Sequence, residues 1–243
     1  MSALVTRLAY TGPTMPSRAL IIEERITVPD AAFDHAGYRA WVTSDSYPDG
    51  IRTTFIQGEV LVEMSPESLE RHNKVKAAIS AALIGFVAQH QLGEVYVDGA
   101  LVTNERAGLS CEPDCTFIAW ATFDAGRVRF QPRVTHGSAD QTDHIEIVGS
   151  SDLVVEIVSD SSVKKDTRLL RDAYARAGVR EYWLVDARGA DVRFEILTES
   201  GGSLTGSTDP GAPQESRVLG GRWQLSRAPN RAGRFDYRLD RME

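Results

Sequence analysis

Cysteine is scarce: Cys111 and Cys115 are the only two in 243 residues. A CxxxC pair with no further cysteine and no nearby histidine is not a zinc ligand set. Four positions apart in one strand, the two would share a face but lie too far apart to bridge. Both are expected to be reduced core thiols, as in a cytoplasmic protein. Long apolar runs are missing too. No stretch approaches membrane-spanning length, and no basic start followed by an apolar run marks a signal peptide. There is no basic excess either. The formal charge is −7, which argues against loose, sequence-blind adhesion to nucleic acid but leaves room for a local basic site. Seven arginines do fall between Gly211 and the end, and they read as solvated strand faces. No internal repeat is found. At 42% hydrophobic and 25% charged residues, the composition is that of a soluble globular protein, and the length suits one large domain with appendages.

The segment Asp152 to Arg188 organises the rest. Leu153, Val154, Val155, Ile157 and Val158 form an apolar, β-branched run, which predicts a strand buried on both faces. Ser159 to Ser162 offer helix caps. Leu169, Leu170, Ala173, Tyr174 and Ala177 then recur at helical spacing, and Gly178 ends the helix. Tyr182 to Val185 make the next strand. A strand, helix and strand of this length predict a right-handed crossover with parallel strands, the first of them central in its sheet. Glu156 breaks the apolar run, and a buried carboxylate is costly unless a cation receives it.

Before this segment, residues 1–45 read as an arm with a hint of strand at Leu20 to Ile22 and a short helix over Ala31 to Val42. Thr53 to Met64 predicts a hairpin turning at Gln57-Gly58, with Glu59 and Glu63 on one face of its second strand. Ser65-Pro66 predicts the start of a helix reaching about Gln91, with Val75, Ile79, Leu83 and Phe86 buried. His72 lies one turn before Val75, and is expected to face a cleft rather than the deep core. Strands are predicted over Glu94 to Asn104 and Glu112 to Trp120, and a loop over Phe123 to Asp143. Val192 to Leu197 predicts a hairpin partner, Thr198 to Glu215 a loop, and Arg217 to Leu239 short strands. The domain expectation is an arm over 1–45, a core over 46–200 and a β extension over 201–243 packed on the core.

Asp114, after Pro113 at a strand start, and Glu156 can converge on one divalent cation if their strands are neighbours. Such an ion binds a phosphate oxygen and generates hydroxide. Glu59, Glu67 and Glu70 are possible third carboxylates. The strings Pro113-Asp114, VVEIVSDSS from Val154 to Ser162, and RDAYARAGVREYWLVDAR from Arg171 to Arg188 together resemble the Uma-two family, as do Gly58-Glu59, Met64-Ser65-Pro66 and His72 upstream. The resemblance covers Arg52 to Leu197. That family is assigned to the PD-(D/E)XK superfamily. The resemblance therefore implies an α/β, restriction-endonuclease-like fold, with a mixed central sheet flanked by helices, an N-terminal hairpin and a C-terminal β extension. It implies a nuclease acting on DNA with Mg²⁺ or Mn²⁺ held by Asp114 and Glu156. A homodimer is expected, because cutting both strands of a duplex is simplest with two sites and the N-terminal arm looks under-buried. The superfamily lysine does not carry over, because Val158 stands two residues after Glu156. Lys164, Arg168 and Arg171 share one side of the following helix, whereas Lys165 lies in line with Leu169 and Ala173 and is expected to point at the sheet. Glu59 and His72 complete the candidate site. The alternatives are a decayed nuclease fold serving as a nucleic-acid-binding or interaction module, and a metal hydrolase of small phosphorylated compounds.

Overall fold

The structure is a computed structural model that describes residues 27–242, apart from Asp49, Met64, Ser65, His136, Gly137, Ser207 and Thr208. The expected strand at Leu20 to Ile22 lies outside the described residues. A 3-10 turn over Asp30–Phe33 leads into α1 (His35–Val42), whose first turn is capped by the Asp34 carboxylate on the Gly37 N–H. Strands β1 (Arg52–Ile56) and β2 (Glu59–Glu63) pair around Gln57-Gly58. Both turn residues have positive φ, 50° and 92°, as a two-residue hairpin with the right-handed strand twist requires.

The long helix opens later than Ser65-Pro66 implies. Ser65 is outside the described residues, and the capping hydroxyl is that of Ser68, which accepts from the Arg71 N–H at 3.3 Å. One turn over Leu69–Asn73 is widened to π spacing before α2 (Lys74–His90) begins. The expected strand over Glu94 to Asn104 is two strands. Asp98 and Gly99, at φ 37° and 76°, turn the chain between β3 (Gly93–Val97) and β4 (Leu101–Asn104), which enter different sheets. Of the next expected strand, Glu112 to Trp120, β6 (Cys115–Ala119) is the part that forms, and β5 (Leu109–Cys111) precedes it where no strand is expected. Pro113, with no N–H to offer a ladder, sits in the break. Cys111 and Cys115 therefore occupy different sheets, both free and buried.

After α3 (Trp120–Asp124), the segment expected to be a loop forms a long hairpin of β7 (Val128–Thr135) and β8 (Ser138–Gly149). Its polarity reflects an edge position: Arg129, Gln131 and Arg133 alternate outward. Then come β9 (Leu153–Ile157), a widened turn over Lys165–Leu170, α4 (Arg171–Ala177) and β10 (Glu181–Asp186). Gly178 ends α4 at φ 77°, with the Val179 N–H returning to the Tyr174 carbonyl at 3.0 Å. The expected loop after Leu197 is partly strand. β11 (Arg193–Ser200) turns at Gly201-Gly202 into β12 (Ser203–Thr205), and β13 (Gln214–Glu215), β14 (Arg222–Pro229) and β15 (Phe235–Met242) follow.

Among the described residues three sheets result, ordered β2-β1-β5-β4-β8-β7, β12-β11-β10-β9-β6-β3 and β13-β14-β15. In the second, β9 and β10 are parallel and central, as their apolar runs predict, and the remaining pairs are antiparallel. Alternation along β9 sends Leu153, Val155 and Ile157 to a core shared with Val75, Ile79, Leu83 and Val87 of α2 and with Trp223, Leu225 and Leu239 of the third sheet. Val154 faces the other way, toward Leu170, Ala173 and Tyr174 around α4 and toward Ile56 and Leu109 of the first sheet. The second sheet is thus covered on both faces, and Glu156 points to the α4 side.

Candidate active site

The two sheets meet where the chain breaks between β5 and β6, and a cleft of about 530 Å³ opens there. Continuing the β6–β9 register, in which Cys115 lies opposite Val155, by one residue sets Asp114 across from Glu156. The Oδ2 of Asp114 accepts the Ile157 N–H at 2.8 Å, so the acid is pinned to the end of the neighbouring strand. Glu156 is 4% exposed, and its Oε1 accepts the Tyr174 hydroxyl at 2.6 Å. Tyr174 in turn lies 3.3 Å from the Cys111 Sγ. Burial, then the neighbouring Asp114 and Asp166, raise the Glu156 carboxyl well above its ordinary value, against the pull of Lys165 and Tyr174.

Lys165 points into the cleft, while Lys164 and Arg168 stay exposed. Its Nζ donates to Glu63 Oε2 at 2.7 Å and lies 3.6 Å from Asp166 Oδ1. Burial alone would lower this ammonium, but Glu156, Asp166 and Glu63 outweigh it and hold it above the usual lysine range. The Ser162 hydroxyl donates to the Asp166 Oδ2, while Asp166 Oδ1 is buried without a hydrogen bond. Burial pushes the Asp166 carboxyl up to about 6.

His72 also reaches the cleft. Its Nε2 is 3.5 Å from Asp114 Oδ2, and its Nδ1 is 3.2 Å from Glu67 Oε2. Behind these acids stands Lys76, 7% exposed, 2.6 Å from Glu67 Oε1, 3.3 Å from Asp98 Oδ2 and 3.5 Å from Asp114 Oδ1. Burial would lower this ammonium, but Glu67, Asp114 and Asp98 raise it on balance.

Glu59 is a correction. It shares a face of β2 with Glu63, but it is the first residue after the hairpin turn, exposed and away from the cleft lining. Four residues of strand span about 13 Å, so only Glu63, at the far end, reaches the junction. Glu70 also lies outside the lining, paired with Lys74 at 3.0 Å. The sequence reading did not single out Asp166, which passes for a solvated helix residue, or Lys76. One signal could have found Lys76: the chain has only four lysines, at 74, 76, 164 and 165.

The donor set fits a hard divalent cation. Glu63, Glu67, Glu112, Asp114, Glu156 and Asp166 line the cleft against two permanent cations, Arg52 and Lys165. Carboxylate oxygens in that excess suit Mg²⁺ or Mn²⁺.

None of the curated proteins matches the chain. Among solved structures, the chain is similar to the crystal structure of a putative nuclease belonging to DUF820 from Anabaena variabilis. The TM-score is 0.51 at 14% identity, over 69% of this chain and 83% of that one. That likeness supports the mixed α/β fold. Among the described residues, no helix is long and apolar enough to cross a membrane. The sequence profile of the Uma2 family, described as a putative restriction endonuclease, matches residues 38–228, beyond both ends of the stretch Arg52 to Leu197. The chain belongs to the Uma2 family of restriction-endonuclease-like proteins.

Proposed function

We propose that this cleft is a metal-dependent phosphodiesterase site that cuts DNA. The observation that carries the reading is Asp114 across from Glu156, with Lys165 lining the same cleft. Asp114 and Glu156 are the residues that would hold Mg²⁺ or Mn²⁺. The bound ion supplies Lewis-acid polarisation of the phosphate and a more acidic water. The protein's own contribution is positional. The Ile157 N–H fixes one oxygen of Asp114, and Tyr174 fixes one oxygen of Glu156. Lys165, whose ammonium form Glu156, Asp166 and Glu63 favour against burial, can neutralise charge developing on a phosphate that enters the cleft. A homodimer would bring two such clefts to the two strands of a duplex.

The test is cleavage of plasmid and oligonucleotide DNA with Mg²⁺ or Mn²⁺, with and without chelator. Asp114→Asn should abolish cutting, and Lys165→Met should reduce it by about 10²-fold or more, as removal of one transition-state donor does elsewhere. One observation favours the second reading, a decayed site that only binds nucleic acid: Lys165 is already engaged by Glu63 at 2.7 Å. DNA binding without metal-dependent cutting would select it.

A further inference from the structure

We propose that Glu67, His72 and Asp114 form a second divalent-cation site in the same cleft. Its nitrogen donor should favour transition-metal ions such as Mn²⁺, Co²⁺ or Zn²⁺ over Mg²⁺. The inference rests on the metal reading above through the shared Asp114, and it concerns different partners. One ligand atom from each of the three residues lies within 4.8 Å of the other two. Lys76 takes the far oxygens, Glu67 Oε1 and Asp114 Oδ1. The near oxygens, Glu67 Oε2 and Asp114 Oδ2, turn to the imidazole at 3.2 and 3.5 Å. Lys76 thereby acts from behind the ligands, orienting two carboxylates toward a common point as outer partners of metal sites do.

An independent observation comes from His72 itself. The residue is 6% exposed, yet its buried Nδ1 has no hydrogen-bond partner, because Glu67 Oε2 lies off the hydrogen-bond direction. Buried ring nitrogens are normally satisfied, and an unsatisfied one 3.2 Å from a carboxylate oxygen, with a second carboxylate 3.5 Å from the other ring nitrogen, is what a metal ligand looks like without its ion. The backbone is shaped for this placement. The Asn73 N–H returns to the Ser68 carbonyl at 3.0 Å, closing the widened turn that carries His72. Such π turns inside helices often occur at functional sites. Charge agrees as well: two carboxylates face one ammonium and one imidazole, and Asp98 adds a further acid behind Lys76. Imidazole with carboxylate is a donor set for borderline transition metals, whereas Mg²⁺ prefers oxygen alone.

The experiment uses the full chain stripped with chelator. Mn²⁺ stoichiometry is measured by calorimetry, and Co²⁺ binding by its visible absorption. The parent should bind two Mn²⁺ per chain and develop Co²⁺ bands. His72→Gln and Glu67→Gln should each bind one Mn²⁺ and lose the bands, with far-UV circular dichroism unchanged. Glu156→Gln should keep the Co²⁺ bands while losing the other ion, and Asp114→Asn should lose both. Unchanged stoichiometry and bands in both His72→Gln and Glu67→Gln would overturn the inference and leave His72 a clamp between two carboxylates. If Glu156→Gln alone leaves Mn²⁺ stoichiometry unchanged, the Asp114–Glu156 reading fails while this site stands.

Discussion

Replacing Glu156 by Gln separates a metal ligand from a structural acid. Gln keeps the Oε1 acceptor that meets the Tyr174 hydroxyl at 2.6 Å and nearly the same volume. What it removes is a carboxyl that burial and two acids disfavour in its charged form. Relieving that repulsion should leave the metal-free variant as stable as the parent, or more stable by about 1 kcal/mol, since replacing buried charges by neutral groups is often neutral or favourable. Added Mg²⁺ should act oppositely on the two proteins. A ligand at about 100 times its Kd stabilises the folded state by about 2.7 kcal/mol through mass action. In a chain of this size 1 kcal/mol moves Tm by about 2–4 °C, so the parent should gain about 5–10 °C and Glu156→Gln close to nothing. Melting curves with and without Mg²⁺, repeated on Asp114→Asn, make the measurement. A full Mg²⁺ shift in either variant would refute the assignment. So would a loss of about 1–3 kcal/mol in metal-free Glu156→Gln with the metal response intact, the pattern of a structural acid whose removal leaves the nearby Lys165 cation uncompensated.

Three other outcomes are expected. Lys165→Met strips the cation from Glu63, Glu156 and Asp166, and should cost about 3–5 kcal/mol in urea denaturation, as removing one partner of a buried ion pair does. For Asp166 the folded-state carboxyl is raised to about 6, so the folded protein binds this proton more tightly than the unfolded chain. Its contribution is present below the unfolded pKa near 3.8 and is lost as pH rises through about 6, a fall of roughly 3 kcal/mol in metal-free protein that Asp166→Asn should flatten. Trp223→Ala should destabilise by about 3–5 kcal/mol, because this 2% exposed ring packs on Trp183 at 5.5 Å and Phe86 at 5.1 Å; an unchanged urea midpoint would mean the third sheet is not part of the core.

Glu156 was legible because a single charge in a β-branched run has few places to go, and the period-2 rule gave its face once the strand was placed. Lys165 was legible from helix phase, which set it with Leu169 and apart from Lys164 and Arg168. Three kinds of feature stayed hidden. The turns at Asp98-Gly99 and Glu112-Pro113-Asp114 move the chain between sheets in two or three residues; Asp-Gly and Pro mark a break, but nothing local says that the strands on either side enter different sheets. The β7–β8 hairpin is polar because it sits at an edge, where the alternation that marks a half-buried strand is diluted by exposed positions. The partners of the site were hidden for a third reason. Glu63 and Lys76 owe their roles to contacts across 102 and 38 residues of chain, with Lys165 and Asp114 respectively, and Asp166 feels the charge of Glu63 and Asp114 from distant parts of the chain.

The string EYWLVD also carries a second buried acid with a different fate. Glu181 is fully buried at the start of β10, and its carboxylate accepts from the Ser216 hydroxyl at 2.8 Å, the Val218 N–H at 2.9 Å, the Trp183 Nε1 at 3.2 Å and the Arg217 N–H. None of the four donors is a charged group, and three of them belong to residues 216–218. A central strand of the core therefore depends on a segment that is synthesised well after it. A nascent chain that has reached only Glu215 holds a bare carboxylate between two packed layers, so the interior cannot close until the tail arrives. The same dependence makes the tail a latch: peeling residues 216–218 away exposes a charge in the middle of the sheet, and any protease or truncation that removes them unfastens the core from within.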